Sequence, residues 1–275
     1  MRYWRIVVGP WLDNYIAAYY DRYIHLKAAL NDYPDLLTVL LDPDDCKLLD
    51  DTLEWQAALV TDEFNSQIFS RILHAMGYDF PCARRTQPSS YCKKYLLYRS
   101  FKGKVFDLLM SMHRSTFLRM TGTSIVMKNS YFSRVDELRF LWSMQGKMFL
   151  SRGIDSDPID YVDGSEMREQ LTSLELNGDE FKLILTSLLP MDLPRSFLEG
   201  YQSICQSVSK FYPKSCKAIF SANAWFSDDI FKIWAAKEAE RGSILMGAAH
   251  GGNYGALECL STEDHEIKIT DRYYS

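Results

Sequence analysis

The hydrophobic pattern is most regular in the second half of the chain, where short apolar runs alternate with amphipathic stretches. The apolar runs predict strands, and the stretches with apolar residues at helical spacing predict helices. The predicted strands are 123–128, 217–223, 243–249 and 266–270. The predicted helices are 133–146, with Ser133 as N-cap, and 228–241. Strands that alternate with helices in this way predict a parallel sheet with crossover connections.

The rest of the chain is richer in helical patterns. Helices are predicted at 10–30, 50–76, 95–120, 166–189 with a break at 177–178, and 196–211, and a buried strand is predicted at 36–41. The predicted fold class is therefore α/β. A helix-rich N-terminal portion over residues 1–120 is followed by a Rossmann-like parallel-sheet portion over 121–275.

Composition excludes some functions. The 275 residues are 47% hydrophobic and 24% charged, which is ordinary for a globular chain that buries a sizeable core. The net charge of −5 argues against a nucleic-acid binder, which would carry a basic stripe. The six cysteines form no C-x-x-C pair, so no zinc or redox motif is indicated. No apolar run approaches the roughly 20 residues of a transmembrane helix, and we expect a cytoplasmic protein with reduced thiols.

The main candidate chemistry begins where the strand at 243–249 ends. A glycine-rich loop follows, with the residues His250, Gly251, Gly252, Asn253, Tyr254 and Gly255. Glycine admits positive φ and a close approach of a ligand, and open α/β sheets bind ligands beyond the carboxyl ends of their strands. A helix starting at such a loop would favour a phosphate, and a histidine adds a hydrogen bond or a charge. The pattern is neither G-x-G-x-x-G nor a P-loop, so it names no nucleotide, and an ordinary loop histidine remains the alternative.

Further polar residues are expected near this loop. Asn223 ends the strand at 217–223 and, because the strands run in parallel, it should lie at the same sheet edge as His250. Glu258 and Glu266 follow the loop, where carboxylates can bind ribose hydroxyls or act as a base. A turn residue at 223 and a solvated acidic turn are the alternatives. No Asp-x-Asp motif stands in a convincing place, so we expect no obligatory metal.

Three blocks of the sequence resemble one known family. HGGNYG followed by STEDHEIKITDRYYS is similar to the C-terminal signature of a family of transferases of bacterial surface-carbohydrate (O-antigen type) biosynthesis. RYWRIVVGPWL and SANAWFSDDIFKIWAAKEAERGS resemble two other segments of that family, in the expected order between Arg2 and Ser275. The middle of the chain, at about 79–214, matches only loosely. More remotely, the chain resembles glycosyltransferases built of two facing Rossmann-like domains, the GT-B-like enzymes.

The resemblance implies transfer of a sugar or a related group from a nucleotide-activated donor, which is a substrate, so no cofactor is expected. On this interpretation His250 and the N–H groups of Gly251 and Gly252 hold the donor's phosphates and stabilise charge on the leaving group. Glu258 or Glu266 would bind ribose or base, and Glu266 joins His250 as a candidate catalytic residue. The other expected partners are a glycan or lipid-linked glycan acceptor and the inner face of the membrane. A sugar-nucleotide epimerase-like enzyme and a non-catalytic binding fragment remain alternatives.

The resemblance also implies something about the ends of the chain. In the family, the RYWRIVVGPWL block lies well inside a longer chain, and the DRYYS block is followed by more sequence. We therefore expect that this sequence lacks both ends, with an incomplete first domain and a C-terminally truncated second one. A complete small protein is the alternative.

Overall fold

The computed structural model of the protein describes residues 2–85, 124–145, 147–155, 157–173 and 178–275. Within these residues the chain divides into two compact units. The first comprises residues 2–11, 124–159 and 203–275, and the second comprises 12–85 and 160–202. The predicted helix over 95–120 and the predicted domain boundary between residues 120 and 121 lie outside the described residues, so both stay predictions.

The described part of the chain contains eleven α-helices, named α1 to α11 here, and seven strands, β1 to β7. In chain order the helices are Arg2–Val7, Gly9–Asp32, Thr52–Leu59, Asp62–Ala75, Arg134–Ser143, Ser165–Thr172, Glu180–Asp192, Tyr201–Phe211, Ala224–Ser227, Asp229–Glu240 and Ser261–Ile269. The strands are Leu40–Leu41, Cys82–Ala83, Ile125–Lys128, Met148–Ser151, Ala218–Ser221, Ile244–Ala248 and Arg272–Tyr274. Short 3-10 helices occur at Pro43–Asp45 and Arg195–Phe197.

The first unit is built on a five-stranded sheet in the order β4-β3-β5-β6-β7. All neighbouring strands are parallel, as predicted; for example, Ile219 of β5 lies between Val126 of β3 and Leu245 of β6. The chain proceeds from β3 outward to β4, and then returns past β3 to β5, β6 and β7. The strand order therefore reverses between β3 and β5, which is the topological switch point of a doubly wound sheet.

Both faces of this sheet are buried. On one face, Met127 and Phe220 belong to an apolar cluster against which Leu141 of α5 packs. Successive side chains of a strand point to opposite faces, so Val126 and Ile219 lie on the other face, where both are fully buried. Strands buried on both sides are typical of parallel sheets covered by helices. The architecture confirms the predicted α/β, Rossmann-like fold class.

Capping residues explain where two helices of this unit begin. Ser133 Oγ accepts a hydrogen bond of 3.1 Å from Asp136 N at the start of α5, as predicted. Asp228 Oδ1 accepts one of 3.0 Å from Phe231 N at the start of α10. In both places a short polar side chain satisfies one N–H group that the first helical turn leaves free. Helix α10 is buried along most of its length, and α1 packs against it.

The second unit contains a polar cluster around the end of α7. The buried carboxylate of Asp192 accepts hydrogen bonds from the hydroxyls of Tyr19 at 2.8 Å and Tyr15 at 3.0 Å, and it pairs with the guanidinium of Arg71. The predicted helix pair over 166–189 is confirmed as α6 and α7. Among the helices described, none combines the length and the apolarity needed to cross a bilayer.

The predicted strand at 266–270 is wrong, because these residues fall at the end of helix α11, Ser261–Ile269, and just after it. The alternation of IKIT suggested a strand, but Glu263 and Asp264 in the first turn favour a helix N-terminus. Glu266 and Ile269 are buried together, as residues three positions apart on one side of a helix are.

Two other element predictions need correction. The predicted strand at 36–41 is reduced to Leu40–Leu41, and the predicted helix at 50–76 is two helices, α3 and α4. The second begins afresh because Thr61 Oγ1 accepts a hydrogen bond of 3.3 Å from Phe64 N and caps it. The hydrophobic pattern also did not predict β4 and β7, which lie at the two edges of the sheet.

Candidate active site

The loops after β3, β5 and β6 meet at the carboxyl edge of the sheet, beside the switch point. Each contributes one residue: Tyr131 after β3, Asn223 after β5 and His250 after β6. Asn223 Nδ2 donates a hydrogen bond of 2.8 Å to the Tyr131 hydroxyl. The Tyr131 ring is nearly parallel to the His250 imidazole, at 5° with 6.0 Å between ring centroids. Asn223 and His250 thus lie at one edge, as expected, with Tyr131 linking them.

The glycine-rich loop has the backbone conformation that its sequence predicts. Gly251, Gly252 and Gly255 have φ values of 95°, 67° and 69°, and Asn253 has 74°. A Cβ at any of these three glycines would meet open space. Glycine is therefore favoured there by the positive φ and not by a lack of room for a side chain. No helix starts directly at the loop, since α11 begins only at Ser261. Any anion bound there would therefore meet loop N–H groups and His250 rather than a helix N-terminus.

His250 lies against a carboxylate and a tyrosine. Its Nε2 is 3.6 Å from Glu266 Oε1, and the Tyr254 ring packs on the imidazole with 4.4 Å between centroids. The His250 side chain is 20% exposed, whereas that of Glu266 is 2% exposed. Glu266 therefore lies behind His250, where it can orient or neutralise the imidazole but is not open to a ligand in the loop.

Burial dominates the electrostatics of this group. It raises the pKa of the Glu266 carboxyl, an effect that His250 and Tyr254 partly oppose. Burial also raises the pKa of Tyr254 to about 12. The Tyr273 hydroxyl has a raised pKa for the same reason, with a further contribution from the negative charges of Glu266 and Glu263. A carboxyl group held in such surroundings is typical of sites that move or hold a proton.

Several buried polar atoms of this group have no hydrogen-bond partner within the described ranges. They are His250 Nε2, both carboxylate oxygens of Glu266, the Tyr273 hydroxyl and Asn223 Oδ1. Buried polar atoms without partners are rare, and a catalytic role is one of the reasons for which a protein keeps them. Gly247 permits this arrangement, because a Cβ there would lie 3.1 Å from the Tyr273 ring.

The remaining predicted residues are spread along the loop. Glu258 is exposed, and so are Gly251, Gly252, Asn253 and Gly255. The N–H group of Gly255 donates a hydrogen bond of 2.8 Å to Glu263 Oε2, so this donor is already engaged. Among the described residues no group of three or more His, Cys, Asp or Glu side chains is placed to hold a metal ion. That the protein needs no metal stays a prediction.

Sequence reasoning missed a second polar cluster, which is formed by the end of β3, the loop after β4 and the residue that caps α10. Lys128 ends β3 fully buried, with Nζ 2.8 Å from Asp155 Oδ2 and 3.1 Å from Asp228 Oδ2. Asp155 also accepts a hydrogen bond from the Tyr212 hydroxyl. A lysine closing the apolar run at 123–128 was the available signal. Because its groups are paired with one another, this cluster fixes the loop after β4 to the start of α10.

The fold and this edge define an α/β protein of the doubly wound class. The family model described as LIC12162 family transferase matches residues 1–275, so the chain belongs to that family. No curated protein and no solved structure matches the chain. The family match confirms the transferase part of the resemblance and gives the protein its general role, the transfer of a chemical group.

Proposed function

We propose that this transferase moves a sugar or a related group from a nucleotide-activated donor, in the synthesis of a bacterial surface carbohydrate. The three sequence blocks that resemble the surface-carbohydrate family support the pathway. The acceptor is a glycan or a lipid-linked glycan, which would bring the enzyme to the inner face of the membrane. The donor is a substrate, and the chemistry needs no separate cofactor.

The observation that carries the proposal is the pairing of His250 with a buried carboxylate at the mouth of the glycine-rich loop. When a glycosyl donor reacts, its leaving nucleoside diphosphate gains negative charge. A protonated imidazole at His250, attracted by Glu266 3.6 Å behind it, would stabilise that charge. The N–H groups of Gly251 and Gly252 would add hydrogen bonds to the same phosphates.

The roles of the other residues follow from their exposure. Glu266 is buried, so it acts on the imidazole rather than on a ribose hydroxyl. Glu258 is exposed on the loop and remains the candidate for ribose or base contacts. Tyr254 packs on His250 and limits its movement, and Asn253 with Gly255 keeps the loop in its left-handed conformation.

The test is calorimetric titration of the chain with UDP-, GDP-, dTDP- and CDP-linked sugars, followed by product analysis with and without a glycan acceptor. One donor should bind, and its sugar should appear on the acceptor. Loss of a hydrogen-bond donor that stabilises the developing charge costs about 3 kcal/mol in the transition state. His250→Ala should therefore lower turnover about a hundredfold, with little change in the affinity for the nucleotide-linked sugar. His74→Ala, at an exposed histidine of the second unit, is the matched control.

The alternative outcomes are distinct. Conversion of the donor to an isomer without acceptor would identify an epimerase-like enzyme instead. Binding without any turnover would indicate a fragment that only binds. Absence of binding to every donor, or normal turnover in His250→Ala, would overturn the proposed site.

A further inference from the structure

We infer that the ring of Tyr131 is the platform on which the base of the donor nucleotide stacks, at the switch point between β3 and β5. This inference rests on the proposed function, because it requires a donor that carries a nucleobase. It adds to the phosphate contacts of His250 a second contact, on a different loop, that recognises a different part of the donor.

The turn after β3 has a strained backbone. Tyr131 has a φ of 61° and Asn129 has a φ of 46°. Asparagine tolerates this left-handed region, but a bulky residue such as tyrosine is a true outlier there. Such strain persists only where the surrounding structure fixes it, and it concentrates at functional sites.

Besides the hydrogen bond between Asn223 and the Tyr131 hydroxyl, the turn is held by contacts that do not involve the Tyr131 side chain. The Asn129 side chain accepts a hydrogen bond of 2.8 Å from Gly153 N and donates one of 3.2 Å to Gly153 O. Ser130 Oγ donates a hydrogen bond of 2.6 Å to the buried carboxylate of Glu137. The turn is thus tied to the loop after β4 and to helix α5, so its shape should survive a change at residue 131.

This turn presents an exposed aromatic ring at the carboxyl edge of the sheet. Tyr131 is 67% exposed, so the strained backbone gains little from packing the ring. At the same time the hydroxyl is fixed by Asn223 at 2.8 Å, which sets the direction of the ring. An exposed ring that is already oriented loses little freedom when a ligand stacks on it, and such preorganisation favours binding.

A nucleobase is the occupant that fits this ring. Nucleobases stack on aromatic side chains through their flat faces, whatever groups their edges carry. Doubly wound sheets bind nucleotides at the switch point where Tyr131 lies. The His250 ring lies parallel to it at 6.0 Å, so a phosphate at His250 and a base on Tyr131 can belong to one nucleotide joined through a single ribose.

Calorimetric titration with UDP, GDP, dTDP, CDP and inorganic pyrophosphate separates base contacts from phosphate contacts. The variants are Tyr131→Gly, which removes the ring and suits the left-handed backbone, and Tyr131→Phe, which keeps the ring. Tyr33→Gly is the control, at a tyrosine that is 65% exposed in the second unit. Loss of one base–aromatic stack should weaken the tightest nucleoside diphosphate by about 5- to 150-fold.

Pyrophosphate affinity should be unchanged in Tyr131→Gly, and its melting temperature should equal or exceed that of the wild type because the backbone strain is relieved. Tyr131→Phe should retain most of the affinity. Equal losses for pyrophosphate and nucleoside diphosphate in Tyr131→Gly, or no loss for either, would overturn the inference while leaving the proposed function in place. A wild-type chain that binds none of the five ligands would overturn the proposed function and this inference with it.

Discussion

Replacing Glu266 by glutamine should make the protein more stable at neutral pH and less active. The side chain is 2% exposed, and neither carboxylate oxygen has a hydrogen-bond partner within the described ranges. The titratable groups that interact with it include His250, Tyr254, Glu263 and Tyr273. Among them only His250 can offer a positive charge, which would favour the ionised carboxylate. Burial has the larger effect and favours the neutral form, so the pKa of the carboxyl is raised.

The sign of the pH dependence follows from the raised pKa. The native protein binds the Glu266 proton more tightly than the unfolded chain does, so ionisation lowers stability as the pH rises above the ordinary value of 4.5. Glutamine has nearly the same shape and cannot ionise. The stability that Glu266→Gln gains over the wild type is therefore absent at pH 4 and reaches its full size above the native pKa of Glu266. A buried polar group without a partner costs about 1–3 kcal/mol, and because the amide remains polar we expect a gain of about 1 kcal/mol at pH 8.

The measurement is chemical unfolding of the wild type and of Glu266→Gln at several pH values between 4 and 8. The neighbouring His265 also titrates in this range, because burial lowers its pKa to about 4. Its contribution cancels when the free energy of unfolding of the wild type is subtracted from that of the variant. Glu240→Gln, at an exposed glutamate of α10, is the control and should change nothing. Turnover should fall in Glu266→Gln, because the imidazole loses its carboxylate. A variant that is less stable at pH 8, or equally stabilised at pH 4 and pH 8, would refute this reasoning.

Three further predictions test other parts of the structure. A Cβ at Gly9 would lie 2.3 Å from His265 Cε1, so Gly9→Ala should lower the free energy of unfolding by about 1–3 kcal/mol, and unchanged or higher stability would contradict the close packing. Asp192→Ala should cost about 3–5 kcal/mol in denaturant unfolding, because it leaves the Arg71 guanidinium buried without its carboxylate; a loss below 1 kcal/mol would mean that Arg71 finds water. Donor binding should survive EDTA in calorimetry, since His250 and the loop N–H groups supply the positive potential, and a strict requirement for Mg²⁺ or Mn²⁺ would point to unrecognised carboxylate ligands.

The sequence pattern predicted the centre of the sheet better than its edges. The strands at 125–128, 218–221 and 244–248 consist mostly of apolar residues, because central parallel strands are buried on both faces. Strand β7 is three residues long and combines a charged residue with two aromatic ones. The alternating segment IKIT predicted a strand, although it lies at the end of helix α11. Short edge strands carry too few residues for a periodic signal, so their pairing had to come from the three-dimensional structure.

The same limit explains which site residues were predicted. His250 and its glycines stand out because the need for positive φ is written in the residue types themselves. Tyr131 does not stand out, since neither its left-handed backbone nor its position is encoded locally. Its importance depends on the switch point, and locating the switch point requires β4, which the pattern did not predict. Glu266 was singled out as an acidic residue, but its burial behind His250 follows from the helix in which it lies.

Several locally unfavourable features of the first unit lie near the carboxyl edge of its sheet. The left-handed tyrosine after β3 and the buried carboxylate of Glu266 both flank His250. The Tyr273 hydroxyl, which has no hydrogen-bond partner among the described residues, lies near enough to Glu266 for the carboxylate charge to raise its pKa. A few residues away, Lys128 is equally buried but is fully paired with Asp155 and Asp228. A sequence selected for stability alone would pair or remove the first group as it pairs the second. Natural proteins break local rules mainly where function requires it. This contrast therefore indicates that the residues around His250 form the active site, whereas the paired cluster at Lys128 stabilises the fold.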